Sequence, residues 1–410
     1  MRVNSSVVEQ AQQMDTSRRN VVVLAGCQAL TQVKMSMLIA IAGLSGYALA
    51  ADKTWATLPI TIYVIGSALA TLPSGAFMKR HGRRNGFSLG ALFGIAGGLI
   101  CAGALWLHSF WLLCAGTATL GVFVAFGRAY RFAAADAAPK DFKAKAISLV
   151  LAGGIVGGVL GPNLANWTKD AWTGLAFGAS FLAITVISAL TLVALRPLRI
   201  PPLTAAERAE PGRPLSQIMR QPAFIVAVTA SAVGYGIMNL LMVATPLAMH
   251  HHEYPFSSTA FVLEWHLIGM FAPSFFTGHL ITRFGTLPVM TAGAVLNLVC
   301  IGIALSGDTV VHFWASLFLL GVGWNFLFTA GSTLLTETYR PSEREKTQSM
   351  HDFITFATMA VTSLVSGAML SREEWGWHAI NYGSLPFVGA VLIAIVWLAT
   401  MRSGPSASPR

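Results

Sequence analysis

The stretch "GAFMKRHGRR", residues 75–84, decides the fold, because its Gly-x4-Arg-x-Gly spacing returns as "GHLITRFG" at 278–285. Gly75, Arg80 and Gly82 map onto Gly278, Arg283 and Gly285, and a Pro-Ser pair precedes each copy, Pro73-Ser74 and, further back, Pro273-Ser274. Each copy interrupts long apolar sequence with a short polar turn. A repeat at an offset of about half the 410 residues implies two similar halves. The polar, Pro-rich segment "RPLRIPPLTAAERAEPGRPLSQIMR" at 196–220 reads as their connector. The expected organisation is therefore a first six-helix half over 1–195 with a short leader, the connector at 196–220, a second half over 221–402, and a disordered tail at 403–410.

Outward from these turns the chain is lipid-like. It is 54% hydrophobic and only 11% charged, against roughly 25% charged residues in soluble domains, with a mean hydropathy of +0.63. A spanning helix takes about 20 apolar residues. Twelve such runs can be drawn, at 20–49, 55–78, 86–107, 110–134, 146–167, 172–195, 221–248, 258–281, 287–306, 310–336, 347–370 and 380–401. The expected fold class is an all-α polytopic membrane protein with twelve transmembrane helices in two six-helix halves. The leader "MRVNSSVVEQAQQMDTSRRN" precedes a run too long for a secretory signal peptide and without a small-residue cleavage site.

The net charge of +10 is a statement about topology, not about a nucleic-acid partner. Of the 27 Lys and Arg residues, 21 fall on one set of alternate loops or in the termini, and three (Lys53, Lys169, Arg372) on the other side. Lys34, Arg128 and Arg131 lie within spans. The positive-inside rule puts both termini in the cytoplasm. Cys27, Cys101, Cys114 and Cys300 all sit in expected helices with no CxxC pair, which argues against structural disulfides. No P-loop, nucleophile elbow or HExxH pattern is present, so neither ATP hydrolysis nor covalent catalysis is indicated.

With these residues in view, the chain resembles the major facilitator superfamily over residues 20–401. The family's loop between the second and third helices reads Gly-x3-Asp-Arg-x-Gly-Arg-Arg/Lys, and Gly75, Arg80, Gly82, Arg83 and Arg84 match it. Lys79 stands at the Asp position, so the carboxylate contact assigned to that gate does not carry over. In "GGIVGGVLGP" at 153–162, Gly157, Gly161 and Pro162 look like the family's Gly-x3-Gly-Pro motif, commonest in proton-driven exporters. The resemblance implies alternating access, with Gly75, Arg80, Gly82, Arg83, Arg84, Gly157, Gly161, Pro162, Gly278, Arg283 and Gly285 as gating residues. The binding site would lie between the repeats near the bilayer midplane.

The stretch "GIMNLLMVATPLAMHHHEYPFSSTAFVLEWHLIGMF" at 236–271 carries candidate ligands. Met238 and Met242 share one face of the seventh span, and His266 and Met270 share one face of the eighth. Counted from the turn near 249–257, the four lie about 6 to 12 residues deep, or roughly 9 to 18 Å at helical rise. Methionine is a common filler of irregular apolar gaps, whereas histidine within a span is costly enough to suggest function. Thioether and imidazole together suit Cu(I). Met249, His250, His251 and His252 continue the pattern at the outer mouth as candidates for metal capture. These motifs resemble the CcoA-type branch of bacterial copper importers. That resemblance implies an inner-membrane importer supplying copper, as the ion or a small chelate, for cytochrome oxidase assembly, with no prosthetic group and a monomeric working unit. Met238, Met242, His266 and Met270 would handle the metal. "YRFAAAD" at 130–136 and "GVGWNFLF" at 321–328 are shared with a sister group resembling riboflavin transporters, so the choice between cargoes rests on those four residues.

Other intramembrane polar residues keep a second reading open. Lys34, near Gln28 and Gln32, would repel Cu(I) and suits an anionic organic substrate, unless it pairs with a carboxylate or backbone carbonyls. Glu264 points about 160° away from His266, toward another helix or a proton-carrying role. Arg128, Arg131 and Asp136 suggest an interhelical network, whereas His351 and Asp352 read as an exposed helix-end pair. The alternative is therefore a transporter of a small organic solute, by riboflavin-like uptake or proton-coupled drug efflux, using Lys34 with Trp265, Trp324, Phe326 and Phe328. A metal sensor is a third class, disfavoured by the lack of a signalling domain.

Overall fold

The computed structural model describes residues 2–172, 175–200, 212–370 and 376–403, and among these every regular element is helical. The middle of the expected connector, 201–211, and the tail from 404 onward lie outside the described residues, as do Arg208 and Arg372.

Helix α1 (Arg2–Leu49) begins well before the expected position 20. The polar leader contains neither Gly nor Pro before Gly26, so nothing in its sequence stops the helix from running through it. Helix α2 (Leu58–His81) carries Pro59 in its first turn, where the missing N–H costs nothing. It ends at Gly82, whose φ of +83° lets α3 (Arg83–Trp106) start at the next residue. Ser109 caps α4 (Phe110–Gly127) by accepting from the Leu112 N–H at 3.4 Å. Then follow α5 (Tyr130–Asp136), α6 (Lys143–Ala152), α7 (Gly154–Thr168) and α8 (Gly178–Ala194).

The second half repeats the plan. After the short α9 (Leu215–Met219) come α10 (Pro222–His251), α11 (Phe256–Phe271), α12 (Ser274–Phe284), α13 (Thr286–Ser306), α14 (Val310–Leu335), α15 (Arg344–Leu370) and α16 (Gly376–Ser403). Three expected spans are each two helices: α4 with α5, α6 with α7, and α11 with α12. At the third break Pro273 has no N–H to give the Gly269 carbonyl, and the ladder fails there. Asn325 of α14 mends it, donating to the Met270 carbonyl at 2.7 Å and to Ser274 Oγ at 2.5 Å, and accepting from Thr277 Oγ1 at 2.7 Å. Ten of the described helical stretches are long and apolar enough to cross a membrane; α8 is apolar but shorter.

The chain divides into two compact units, Met1–Glu210 with Pro341–Phe353, and Pro211–Arg340 with Ile354–Arg410. In the first, α4 packs against α2 and α3, and α1 packs against α7 and α8. The α1–α7 contact explains the glycines of the Gly-x3-Gly-Pro motif. A Cβ on Gly157 would lie 2.3 Å from Gln32 Cβ, and one on Gly161 would lie 2.4 Å from Ser36 Cβ, so only glycine lets the helices meet. Pro162 is exposed. In the second unit α14 is the common neighbour of α10, α11 and α13. The four cysteines are buried free thiols.

Candidate functional site

The first unit holds a buried knot of charge built on Arg83, the first residue of α3. Its Nη2 lies 2.6 Å from Asp136 Oδ2 and 2.7 Å from Gln348 Oε1. Gln348 Nε2 closes a triangle by donating to Asp136 Oδ2 at 3.1 Å. Glu345, paired with Arg344 at 2.6 Å, stands 3.8 Å from Arg83 Nε. Beside this, Arg131 bonds Asp352, which also accepts from His351 Nδ1 at 3.0 Å. Phe132 lies edge-on to His351, and the Arg131 guanidinium sits over the same ring. Gly75 admits this packing, since a Cβ there would stand 1.9 Å from Ser349 Oγ.

The expected network of Arg131 and Asp136 is thus present, but with partners that lie far along the chain. His351 and Asp352 are buried, at 0% and 4% exposure, which corrects the reading of an exposed helix-end pair. Arg128 lies next to the knot, its carbonyl accepting from Arg131 Nη1 at 2.7 Å. Of the matched loop arginines only Arg83 is buried; Arg80 and Arg84 are exposed. In the second copy Arg283 is also exposed, lying over its neighbour Phe284.

Lys34 is 3% exposed in the middle of α1. Its Nζ donates to Ser188 Oγ at 3.3 Å and Thr191 Oγ1 at 3.2 Å, both on α8, and stands 3.6 Å from the centre of the Phe123 ring. Neither of the ordinary partners, a carboxylate or a backbone carbonyl, is among these contacts.

In the second unit the sequence candidates separate. Tyr235 of α10, Phe271 of α11, Trp324 and Phe328 of α14, and Phe356 of α15 form one aromatic cluster with centroids 5.1 to 5.8 Å apart. Trp324 and Phe328 stack at 16° between planes, and the Trp324 indole N–H is buried without a hydrogen-bond partner among the described residues. A buried indole N–H ordinarily finds one. Trp265 and Phe326 belong to other groups, with Trp314 and Phe318, and with Phe276, respectively.

His266 is fully buried, and its Nδ1 lies 2.7 Å from the Leu317 carbonyl. A carbonyl only accepts, so Nδ1 carries the proton and Nε2 presents a lone pair with no partner among the described residues. Met238 and Met270 are buried and Met242 is half-buried. Helices α10 and α11 pack chiefly on α14 and little on each other, so matching depth does not by itself make the four side chains neighbours. Met249 is fully buried inside α10, against its expected place at an open mouth; His250, His251 and His252 are exposed, with His252 Nε2 3.8 Å from Asp308. Glu264 is exposed rather than packed on another helix. Among the described residues no group of three or more His, Cys, Asp or Glu side chains is placed to hold a metal ion.

Sequence reasoning found Arg83, Asp136, Lys34 and Trp324 but missed Gln348, Ser188, Thr191, Phe123 and Tyr235. Hydroxyls on an apolar helix commonly bond their own backbone, and nothing in the α8 sequence signals that they also receive a lysine.

Comparison with known proteins agrees with the fold. The family model described as Major Facilitator Superfamily matches residues 24–272 and 258–410. The riboflavin transporter RfnT of Brucella anthropi is 42% identical over 93% of this chain and 96% of its own length. The uncharacterized MFS-type transporter YddS of Bacillus subtilis is 30% identical over 82% of this chain and 80% of its own. Among solved structures, the fucose:proton symporter FucP of E. coli superposes with a TM-score of 0.73 at 15% identity, covering 92% of this chain and 98% of its own.

Proposed function

Since this chain belongs to the major facilitator superfamily, we propose that it is a secondary transporter whose cargo is riboflavin or a closely similar flavin. One observation carries the choice of cargo: the 42% identity to a riboflavin transporter extends over nearly the full length of both chains. The aromatic cluster around Trp324 supports it physically. A flavin is a flat fused ring with carbonyl acceptors, and offset or edge contacts with such rings are each worth about 0.5–1.5 kcal/mol beyond area burial. In this reading Tyr235, Trp324 and Phe328, now packed on one another, turn ring faces to the flavin, and the Trp324 N–H, without a hydrogen-bond partner among the described residues, supplies a donor. In this reading the arginine knot around Arg83 and Arg131 is a conformational latch, and the charge asymmetry sets both termini in the cytoplasm of a bacterial inner membrane, with the protein working as a monomer.

Copper import, the first expectation from the Met/His spacing, receives no support from these relatives. One observation keeps it as a second reading: His266 donates through Nδ1 to a carbonyl and has no partner at Nε2 among the described residues, the arrangement that metal-binding imidazoles use.

The deciding experiment is uptake of labelled riboflavin and, in parallel, of radioactive copper by cells that lack other riboflavin uptake. Riboflavin accumulation that depends on the protein and falls at least tenfold in Trp324→Leu supports the proposal. Accumulation of copper alone, lost in His266→Leu, overturns it.

A further inference from the structure

At the end of the first unit where α1 enters the membrane and α8 leaves it, arginines gather that no carboxylate answers. Arg18 and Arg19 precede the apolar part of α1, Arg196 and Arg199 follow α8, and all four are exposed. Asn20 joins the two pairs: its side chain donates to the Arg199 carbonyl at 2.7 Å and accepts from the Arg199 N–H at 3.1 Å. Beside this double bond Leu195 and Leu198 are buried in one cluster with Val21 and Leu24, which fixes the two chain segments against each other. The four cations are thus held at one corner by backbone and core contacts rather than by their own side chains.

Clustered like charges repel one another, yet among the described residues none of the four guanidinium groups is in an ion pair. Asp15, three and four residues before Arg18 and Arg19, is exposed and pairs with neither. At the corresponding corner of the second unit, where α10 begins and α16 ends, Arg220 is exposed, but Arg402 pairs with Glu337 at 2.7 Å and Arg213 donates to the Thr338 carbonyl at 2.9 Å.

The neighbouring apolar surface indicates what answers the first corner. Val22 shares a face of α1 with Arg18, four residues before it, and is 71% exposed. On α8 Leu190 and Val193 are exposed, and Arg196 follows Val193 by three residues in the turn that closes the helix. Exposed apolar side chains on helices of a membrane protein meet acyl chains. A surface that is apolar along the helices and cationic at their end has the two-part chemistry of a phospholipid, and a guanidinium suits phosphate because it can donate two parallel N–H bonds to it. A soluble anion would use the arginines and leave the apolar strip without a purpose.

We propose that Arg18, Arg19, Arg196 and Arg199, gathered by the Asn20–Arg199 bond pair, form a binding site for the headgroup of an anionic phospholipid, which ties α1 to α8 at the membrane surface. The site stands whichever cargo the protein carries.

The test uses the purified full-length chain in detergent, titrated with phosphatidylglycerol and with phosphatidylethanolamine of the same acyl chains. Bound lipids are counted by native mass spectrometry, and thermal unfolding without lipid reports the fold. The native chain is expected to take up phosphatidylglycerol in preference to phosphatidylethanolamine. Arg19→Gln with Arg199→Gln should bind phosphatidylglycerol about tenfold more weakly, because each cation near an anionic headgroup contributes to the attraction. Arg80→Gln with Arg84→Gln removes the same charge from other exposed arginines of the same unit and should stay within about twofold of native. Equal losses in the two pairs overturn the inference, since binding would then follow net charge alone. An absence of preference for phosphatidylglycerol also overturns it, as does displacement of the lipid by free glycerol phosphate at equal concentration, which would make the corner a site for a soluble phosphate. Should the Gln pair melt lower than the native chain, Arg19→Lys with Arg199→Lys decides: binding within about threefold of native supports the site, and binding as weak as in the Gln pair overturns it.

Discussion

The two copies of the Gly-x4-Arg-x-Gly turn share a backbone and differ in chemistry. Gly82 and Gly285 both sit at positive φ, +83° and +90°, with ψ of 158° and 170°, and their N–H groups close the preceding helices onto Met78 and Ile281. One residue later the copies part. The buried first position of the next helix is Arg83 in one copy and Thr286 in the other. Arg83 ties together Asp136, Gln348 and Glu345, whereas Thr286 introduces no charge. Repetition has thus preserved the turn, which depends on glycine geometry, while the ionic knot depends on one side chain and was built on only one copy.

The largest effect should come from breaking that asymmetry. Arg83→Met leaves Asp136 and Glu345 with less compensation in a buried setting, and removing one member of such a pair typically costs about 3–5 kcal/mol. Thr286→Val at the matching position should change stability by less than about 1 kcal/mol. Thermal unfolding of the two variants in the same detergent checks the contrast. Comparable losses would mean that the turn, and not the knot, governs stability here.

Next in size are the glycines, where the copies should behave alike. Their backbone angles lie in a region that residues with a Cβ avoid at a cost of about 1–3 kcal/mol. At Gly82 a Cβ would meet nothing within 4 Å, so the penalty there is purely conformational. Gly82→Ala and Gly285→Ala should therefore lower stability by similar amounts, about 1–3 kcal/mol each. A large difference between them would show that one turn is supported by contacts that its twin lacks.

These contrasts also mark what the sequence makes legible. The helical character of the apolar runs, ten of which are long and apolar enough to span among the described residues, the repeat and the close approach at Gly157 and Gly161 follow from local pattern, because periodicity and residue size act over a few neighbours. Arg83, Asp136 and Lys34 are conspicuous as charges in apolar sequence. Their partners are not, since Gln348 is 265 residues from Arg83 and Ser188 is 154 from Lys34. The Met/His set is the converse case. Its spacing is local, but whether the two helices that carry it turn these faces to one another depends on how each packs on a third helix, α14, which no local pattern shows. Tyr235 is hidden in the sequence for the same reason: it matters only because α10, α11, α14 and α15 bring five rings together.

A subtler expectation concerns the rings themselves. Trp324→Phe keeps an aromatic face in the cluster and removes only the indole N–H, so it separates stacking from hydrogen bonding. Riboflavin binding should weaken by about five- to tenfold, the equivalent of one neutral hydrogen bond of about 1 kcal/mol, and stability should hold or rise because the removed donor is buried with no partner among the described residues. Titration of flavin fluorescence against the purified variant measures the first quantity. Unchanged binding would reduce the role of Trp324 to packing.

The smallest effect is expected at the arginines that define the motif by spacing. Arg80 and Arg283 occupy equivalent places in the last turns of α2 and α12, both exposed, and there a cation meets the negative end of the helix dipole. Such a contact is worth about 0.3–1 kcal/mol and is screened by salt. Arg80→Gln and Arg283→Gln should each cost no more than that, equally in the two copies, with the difference shrinking as salt is raised. If Arg80→Gln instead matched the loss in Arg83→Met, the exposed arginine would have to act through the knot, and the division between a repeated turn and a singular ionic centre would fail at its first copy.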